Sequence, residues 1–212
     1  MKNICRLCGE SNLLPLIDFG EHPIAHHFLN NSKEKEYVHI IKISFCENCG
    51  LIQNPDPAPP DKFYTEYFAL SSWKWNPHIP KLMALIKQKT KIDKNSKILE
   101  VGCNDGSFLE VFREGGYNNL LGLEPSKDAQ ESARKKGFDV VGSYFNEASA
   151  KEILKKRWKI DFFITRHVLE HVHDIGEFKK GMQALLSPGA YVLIEVPDFE
   201  YKMGIADSKL VD

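Results

Sequence analysis

Residues 98–112, ILEVGCNDGSFLEVF, set the tightest limit on the fold, because an apolar run, a turn bracketed by two glycines and a second apolar run follow within one short stretch. The change from continuous apolar character to helical spacing predicts a strand over Lys97–Val101, a turn over Gly102–Gly106 and the start of a helix over Ser107–Glu114. Glycine at 102 and 106 lets the backbone approach a ligand where a Cβ would clash, and the helix start offers free N–H donors. The pattern is ExGxxxG, with Glu100 ahead of the turn, whereas a dinucleotide fold wants GxGxxG to admit a pyrophosphate. Asp105 inside the turn disfavours a diphosphate and suits a ligand that carries positive charge.

The same alternation continues downstream. NLLGLEPS predicts a strand ending at Glu124, where a carboxylate can accept both hydroxyls of a ribose; the plainer reading is a surface carboxylate at a strand end. SKDAQESARKKG reads as a helix capped by Ser126 and stopped at Gly137, FDVVG as a strand, FNEASAKEILKKRW as a helix and IDFFIT as a strand. HVLEHVHDIGEFKKGMQALLSPG is expected to be helical up to Pro188 and Gly189, and AYVLIEVP to be a fifth strand. Short apolar strands alternating with helices predict an α/β fold: a parallel sheet of about five strands, covered on both faces, with ligand sites at the strands' carboxyl ends.

Upstream stand two copies of CxxCG, Cys5-Arg-Leu-Cys8-Gly9 and Cys46-Glu-Asn-Cys49-Gly50. Two intervening residues allow both sulfurs of a pair to face one point, and four such sulfurs make a closed tetrahedral zinc site that folds a module and performs no chemistry. The intervening residues must form a hairpin or loop, and alternation in YVHIIKISFC, residues 37–46, predicts a strand leading into the second knuckle. His22, His26, His27 and His39 lie between the pairs and read as surface or packing residues, since the cysteines fill the site. Cys103, the fifth of five cysteines, reads as a small packing residue. An odd cysteine count suits a reducing compartment better than a disulfide framework.

Prolines at 55, 57, 59 and 60 mark a stiff boundary. The expected domains are a zinc-binding domain over 1–60, a linker and helix over 61–95, and a Rossmann-like domain over 96–212. The linker is dense in aromatic residues, among them Tyr64, Tyr67, Phe68, Trp73 and Trp75, which either pack the modules or cover a pocket. Apolar residues from Ile79 to Ile86 recur at helical spacing, and the lysines between 81 and 97 read as a solvated face. A net charge of −1 provides no field for a phosphate backbone, which argues against nucleic acid as a partner. No run approaches the length of a membrane span and no signal-type segment opens the chain, so a cytoplasmic protein without membrane contact is expected.

ILEVGCNDGSF, LGLEPS and DFFITRHVLEHVHD resemble, in that order, the motifs of class I S-adenosylmethionine-dependent methyltransferases. With CRLCG, CENCG and EYFALSSW, nearly the whole chain resembles the zinc-containing sugar C-methyltransferases, which act on nucleotide-linked keto-deoxysugars. The resemblance implies zinc on Cys5, Cys8, Cys46 and Cys49, and a class I sheet binding S-adenosylmethionine. It implies donor contacts from Glu100, Gly102, Cys103, Asn104, Gly106 and Phe108 around the methionine portion. Glu124 and Pro125 would hold the ribose, Phe145 would flank the adenine, and Thr165, Arg166 and His167 would line the methyl-donor end. His167, His171 and Tyr67 are the candidate catalytic residues. A nucleotide sugar, or a similar small molecule, is the implied partner, with the zinc domain covering the acceptor side. Two departures stand out: Ala69 occupies the place of a second family tyrosine, and the Tyr/Glu/His motif expected after the fifth strand does not occur before Asp212. A truncated chain is therefore expected. The alternatives are a zinc-containing RNA methyltransferase and a truncated, non-catalytic cofactor-binding homologue.

Overall fold

A computed structural model describes residues 4–24, 29, 31, 33–59, 62, 77–156 and 159–198. The chain divides into two compact units, one of residues 1–65 with 173–176 and 197–212, the other of 66–172 with 177–196.

The first unit is built on a three-stranded antiparallel sheet in the order β1-β2-β3, with β1 Leu13–Pro23, β2 Val38–Cys46 and β3 Ile52–Gln53. The predicted strand is β2. Its register with β1 slips twice, between Pro15 and Ile17 and between Asp18 and Gly20. Such irregularities twist and bend a hairpin locally. Very little apolar side chain is buried: among the described residues of this unit only Cys5, Ile24, Cys46 and Ala58 are buried hydrophobics. His26, His27 and the linker aromatics Tyr64, Tyr67, Phe68, Trp73 and Trp75, with Ala69, lie outside the described residues.

The second unit opens with helix α1, Ile79–Lys89, which has proline in its first turn, where a missing N–H costs nothing, and lysines in its last. Lys81, Lys87 and Lys89 are exposed, as a solvated face requires. Then follow β4 Lys97–Val101, α2 Ser107–Glu114, β5 Asn119–Leu123, α3 Lys127–Lys135, β6 Asp139–Val141, α4 Glu147–Lys156, β7 Ile160–Arg166, α5 Ile175–Leu185 and β8 Leu186–Glu195. All pairs are parallel and the order is β6-β5-β4-β7-β8. The chain winds outward from β4 in one direction and then from β7 in the other, so β4 and β7 flank the topological switch point where such sheets take ligands.

Period-two alternation distributes the core between the two faces. Leu99, Val101, Leu121, Leu123 and Phe163 join Ala150 and Ile153 of α4 and Phe178 and Leu185 of α5. Ile98, Phe162 and Ile164 join Ile86 of α1 and Phe108 and Phe112 of α2. A third cluster places Cys103 and Leu109 against Ala133, Phe138 and Val140.

Two expectations are corrected. The stretch from His167 is not one helix: a 3-10 turn at Leu169–His171 precedes α5, and the chain is extended at Val172. Val168, Leu169 and Val172 have helical spacing, yet they reach the core as an irregular segment entered through a left-handed His167 with φ 52°. The last strand also begins at Leu186, before Pro188 and Gly189. Leu186 pairs with Ile160, and a register shift before Phe162 accommodates the exposed proline and glycine on an outer strand.

Candidate functional site at the carboxyl edge of the sheet

The turn after β4 is closed by main-chain bonds: Gly102 N–H donates to Leu123 O at 2.7 Å and Gly106 N–H to Cys103 O at 2.9 Å. Gly102 and Gly106 have φ of 72° and 76°, and a Cβ would strike Val168 Cγ2 at the first and Phe138 at the second. The glycines are thus fixed by conformation and by space together. Asn104 also lies in the left-handed region, φ 49°, which asparagine tolerates better than most residues.

That conformation aims the Asn104 N–H at Glu124 Oε2, 3.0 Å away, while Ser126 N–H donates to Oε1 at 2.9 Å. Glu124 is therefore not a loose surface carboxylate. It is buried at the end of β5, and each oxygen keeps acceptor capacity beside its backbone donor. Burial raises its pKa and the two N–H groups oppose the rise. Pro125 is half-buried next to it, its carbonyl accepting from Gln130 Nε2 at 3.1 Å.

Glu100 shares a sheet face with Ile98 and is 3% exposed. Burial pushes its pKa up to about 8; Arg166 opposes this, while Glu124, Asp105 and Glu195 add to it. Glu100 Oε2, Asn104 Oδ1, Ser143 Oγ and Thr165 Oγ1 are buried without a hydrogen-bond partner. Thr165, wholly buried, pairs in register with Val101, directly across the switch point. Buried polar atoms normally find partners, so orphans following β6 and at the ends of β4 and β7 mark a cradle suited to a polar ligand. Ser143 follows β6 without any motif to signal it.

Other sequence-based candidates fall elsewhere. The Asp105 carboxylate does not face a cationic ligand: it accepts from Ser107 N–H at 3.1 Å and Oγ–H at 2.7 Å, and pairs with Lys136 Nζ at 2.8 Å. Burial alone would raise its pKa, but Lys136 and Ser107 hold it below the ordinary range. Cys103 Sγ points into the core, where it occupies the space that a Cβ on Gly122 would need, and only its backbone remains for a ligand. The Phe108 ring is enclosed beside Phe112, with the Arg166 guanidinium 4.2 Å above it. Phe145 is buried in the core, 5.2 Å from Phe163 and 5.0 Å from Phe178.

At the ends of β7 and β8 the sequence reading missed Glu195. Arg166 and Glu195 are register partners, and Arg166 Nε donates to Glu195 Oε2 at 2.7 Å. Oε1 of the same carboxylate lies 3.1 Å from His167 Nε2 and 2.9 Å from His78 Nε2. Burial would raise the Glu195 pKa, but Arg166, His167 and His78 hold it down. His167 is raised, first by Glu170, whose Oε1 stands 3.7 Å from Nδ1, then by Glu195, with burial and Arg166 opposing. A signal did exist: an acidic residue at the carboxyl end of a strand, the same logic that singled out Glu124. His171 is exposed on the 3-10 turn, and Tyr67 lies outside the described residues.

In the first unit the two CxxCG copies fold alike. Gly9 N–H donates to Cys5 O at 2.9 Å and Gly50 N–H to Cys46 O at 2.8 Å, both glycines being left-handed. Cys5 Sγ is 3.6 Å from Cys49 Sγ, Cys8 Sγ is 3.6 Å from Cys46 Sγ, and all four sulfurs lie within 4.8 Å of one another. Sulfurs at about 2.3 Å around a tetrahedral zinc are about 3.8 Å apart, so the cluster fits a four-thiolate zinc site with no open position.

A doubly wound parallel sheet with a polar cradle at its switch point, in a chain that also carries a four-cysteine metal module, defines the class: a nucleotide-type ligand-binding α/β protein with a zinc domain. Residues 75–208, more than half of the chain, match the family described as "Methyltransferase domain", and the chain belongs to that family. Residues 5–64 match the family described as "Putative zinc binding domain". The C-methyltransferase NovU of Streptomyces niveus is 26% identical over 197 residues, which is 91% of this chain and 47% of that protein. A ubiquinone biosynthesis O-methyltransferase of Pelagibacter ubique is 28% identical over 109 residues, 51% of this chain and 45% of that one. A SAM dependent methyltransferase structure from Archaeoglobus fulgidus is 23% identical with a TM-score of 0.48, covering 65% of this chain and 62% of that one. The chain spans about half the length of the curated relatives it matches.

Proposed function

We propose that this chain binds S-adenosylmethionine and carries the donor half of a C-methyltransferase acting on a small carbohydrate-type acceptor, a nucleotide-linked keto-deoxysugar. The observation that carries the reading is the set of unpartnered buried polar atoms on Glu100, Asn104, Ser143 and Thr165 beside the backbone-held Glu124 carboxylate. When bound, the cofactor supplies an electrophilic methyl group on a sulfonium. The turn Gly102–Gly106 would hold the methionine portion and Glu124 the ribose hydroxyls. Thr165, Arg166 and His167 would line the methyl-donor end.

The protein's task is alignment and charge control. The acceptor would have to lose a proton from the carbon next to its carbonyl, and its carbon would then take the methyl group that the bound donor would supply. His167, whose protonated form Glu170 and Glu195 favour, is the hydrogen-bond donor toward the acceptor oxygen, and His171 and Tyr67 are the candidates for the base. Among the described residues no helix is long and apolar enough to cross a membrane, and four thiols kept for a metal suit a reducing cytoplasm.

Isothermal titration of the zinc-loaded chain with S-adenosylmethionine tests the reading. Saturable binding is expected, weakened by Glu124→Ala, and an absence of binding, checked at two temperatures, would overturn it. Assays with nucleotide-linked ketosugars then separate methyl transfer from cofactor binding alone.

A further inference from the structure

We infer that Glu195 is the positioning residue of this site: it grips His167 through both its carbonyl and its carboxylate and presents the imidazole at the carboxyl edge as a charged donor. The role of that donor in catalysis rests on the methyl-transfer reading above; the grip itself does not.

The geometry starts with the backbone. His167 is one of two described non-glycine residues with positive φ, at 52°, a conformation that persists only where surrounding contacts impose it. The contact is Glu195 O, which accepts from His167 N–H at 2.8 Å just past the last register pair, Arg166 with Glu195. The same residue's Oε1 reaches His167 Nε2 at 3.1 Å, so main chain and side chain of Glu195 fix one imidazole together.

The charges around the ring come from four elements. Glu195 approaches from β8, Glu170 from the 3-10 turn with Oε1 3.7 Å from Nδ1, and Arg166 from the ring's own strand. His78, ahead of α1, shares Oε1 with His167 at 2.9 Å. Arg166 occupies Oε2 from its seat on Phe108 and locks the carboxylate plane. Two carboxylates facing the two ring nitrogens favour the doubly protonated form, in which both nitrogens are donors. A charged imidazole stabilises an acceptor oxygen as the neighbouring carbon loses its proton, which is where negative charge develops during C-methylation. Glu195 acts through the side chains it holds, His167 foremost.

The test is a pH titration of His167 by 1H–15N NMR on the zinc-loaded full chain, with its ring signals assigned by their loss in His167→Gln. In Glu195→Gln the amide keeps a hydrogen-bond acceptor but loses the charge, so the His167 midpoint is expected to move to lower pH. Glu195→Asp, which restores the charge on a shorter arm, should bring it back part of the way. If the glutamine variant does not fold, the aspartate variant is read directly against the parent, again with a fall expected. A folded variant whose midpoint equals that of the parent overturns the inference. Where methyl transfer is measured, the alkaline limb of kcat/KM should shift down in Glu195→Gln along with the midpoint. A merely structural role would instead lower the rate at every pH and leave the limb in place, which also overturns the inference. Failure of cofactor binding with the NMR shift intact would remove the methyl-transfer reading and leave the grip standing.

Discussion

Glu100 shows how a single position links stability to the ligand site. It is a carboxyl group buried on the sheet face that also carries Arg166 and Glu195, and its pKa is raised to about 8 against an ordinary 4.5, chiefly by burial. A raised folded-state pKa means that the native protein holds a proton which the unfolded chain releases in that window. Stability from this group is full below pH 4.5 and declines as the pH climbs toward 8. Glu100→Gln keeps the shape without the titration, so its melting temperature should depend less on pH between 5 and 8 than that of the parent. Differential scanning calorimetry at several pH values reads this, and parallel curves for the two proteins would contradict it. The residue pattern ExGxxxG located Glu100 and contains Asp105, but its charge state depends chiefly on burial and on Arg166, Glu124 and Glu195, which lie on other elements and which no local pattern contains.

At the scale of elements, legibility followed periodicity. β4 has the predicted limits and α2 starts at the predicted Ser107, because the switch from apolar run to glycine turn to helical spacing occurs within a few residues. The segment after β7 misled because Val168, Leu169 and Val172 meet a helical template while the left-handed His167 and a 3-10 turn carry them to the same core. Asp105 misled in another way: its partner Lys136 lies just beyond α3, on a neighbouring element, so sequence alone left it facing the ligand. The zinc knuckles were legible because ligand spacing is itself a geometric statement. Among the described residues the three-stranded sheet around them buries few apolar side chains, so metal ligation is expected to contribute much of its stability, as structural zinc commonly does with about 10–16 kcal/mol of apparent binding energy. Chelation of the metal, or Cys8→Ser, is expected to open this sheet. Hydrogen exchange on the full chain should then show amides of Val38–Cys46 losing protection while those of β4 and β7 keep theirs; unchanged protection in β2 would argue that the sheet holds without metal.

For the whole molecule, the decisive feature is the outer edge of the parallel sheet. Among the described residues β8 is the last strand on its side, and Val192, Ile194 and Val196 are exposed at alternate positions, on the face opposite Tyr191 and Leu193. The other edge, β6, has three residues and offers far less to pair with. A long apolar edge strand presents unpaired backbone groups and an unfilled face together, the combination that draws in another strand. The exposed apolar side chains on β8 are therefore expected to promote self-association at high concentration. Ile194→Lys places a charge on that face at a position 46% exposed, where little packing is lost, so stability should change by no more than about 0.5 kcal/mol. Static light scattering should show the lysine variant remaining smaller than the parent across a concentration series, with urea midpoints nearly equal. Equal association by the two proteins would place the contact elsewhere. Glu195 closes this same strand, so the candidate site and the association edge share one element. A partner strand added along β8 is then expected to tighten the Glu195–Arg166–His167 cluster, because it restrains the strand that carries the carboxylate.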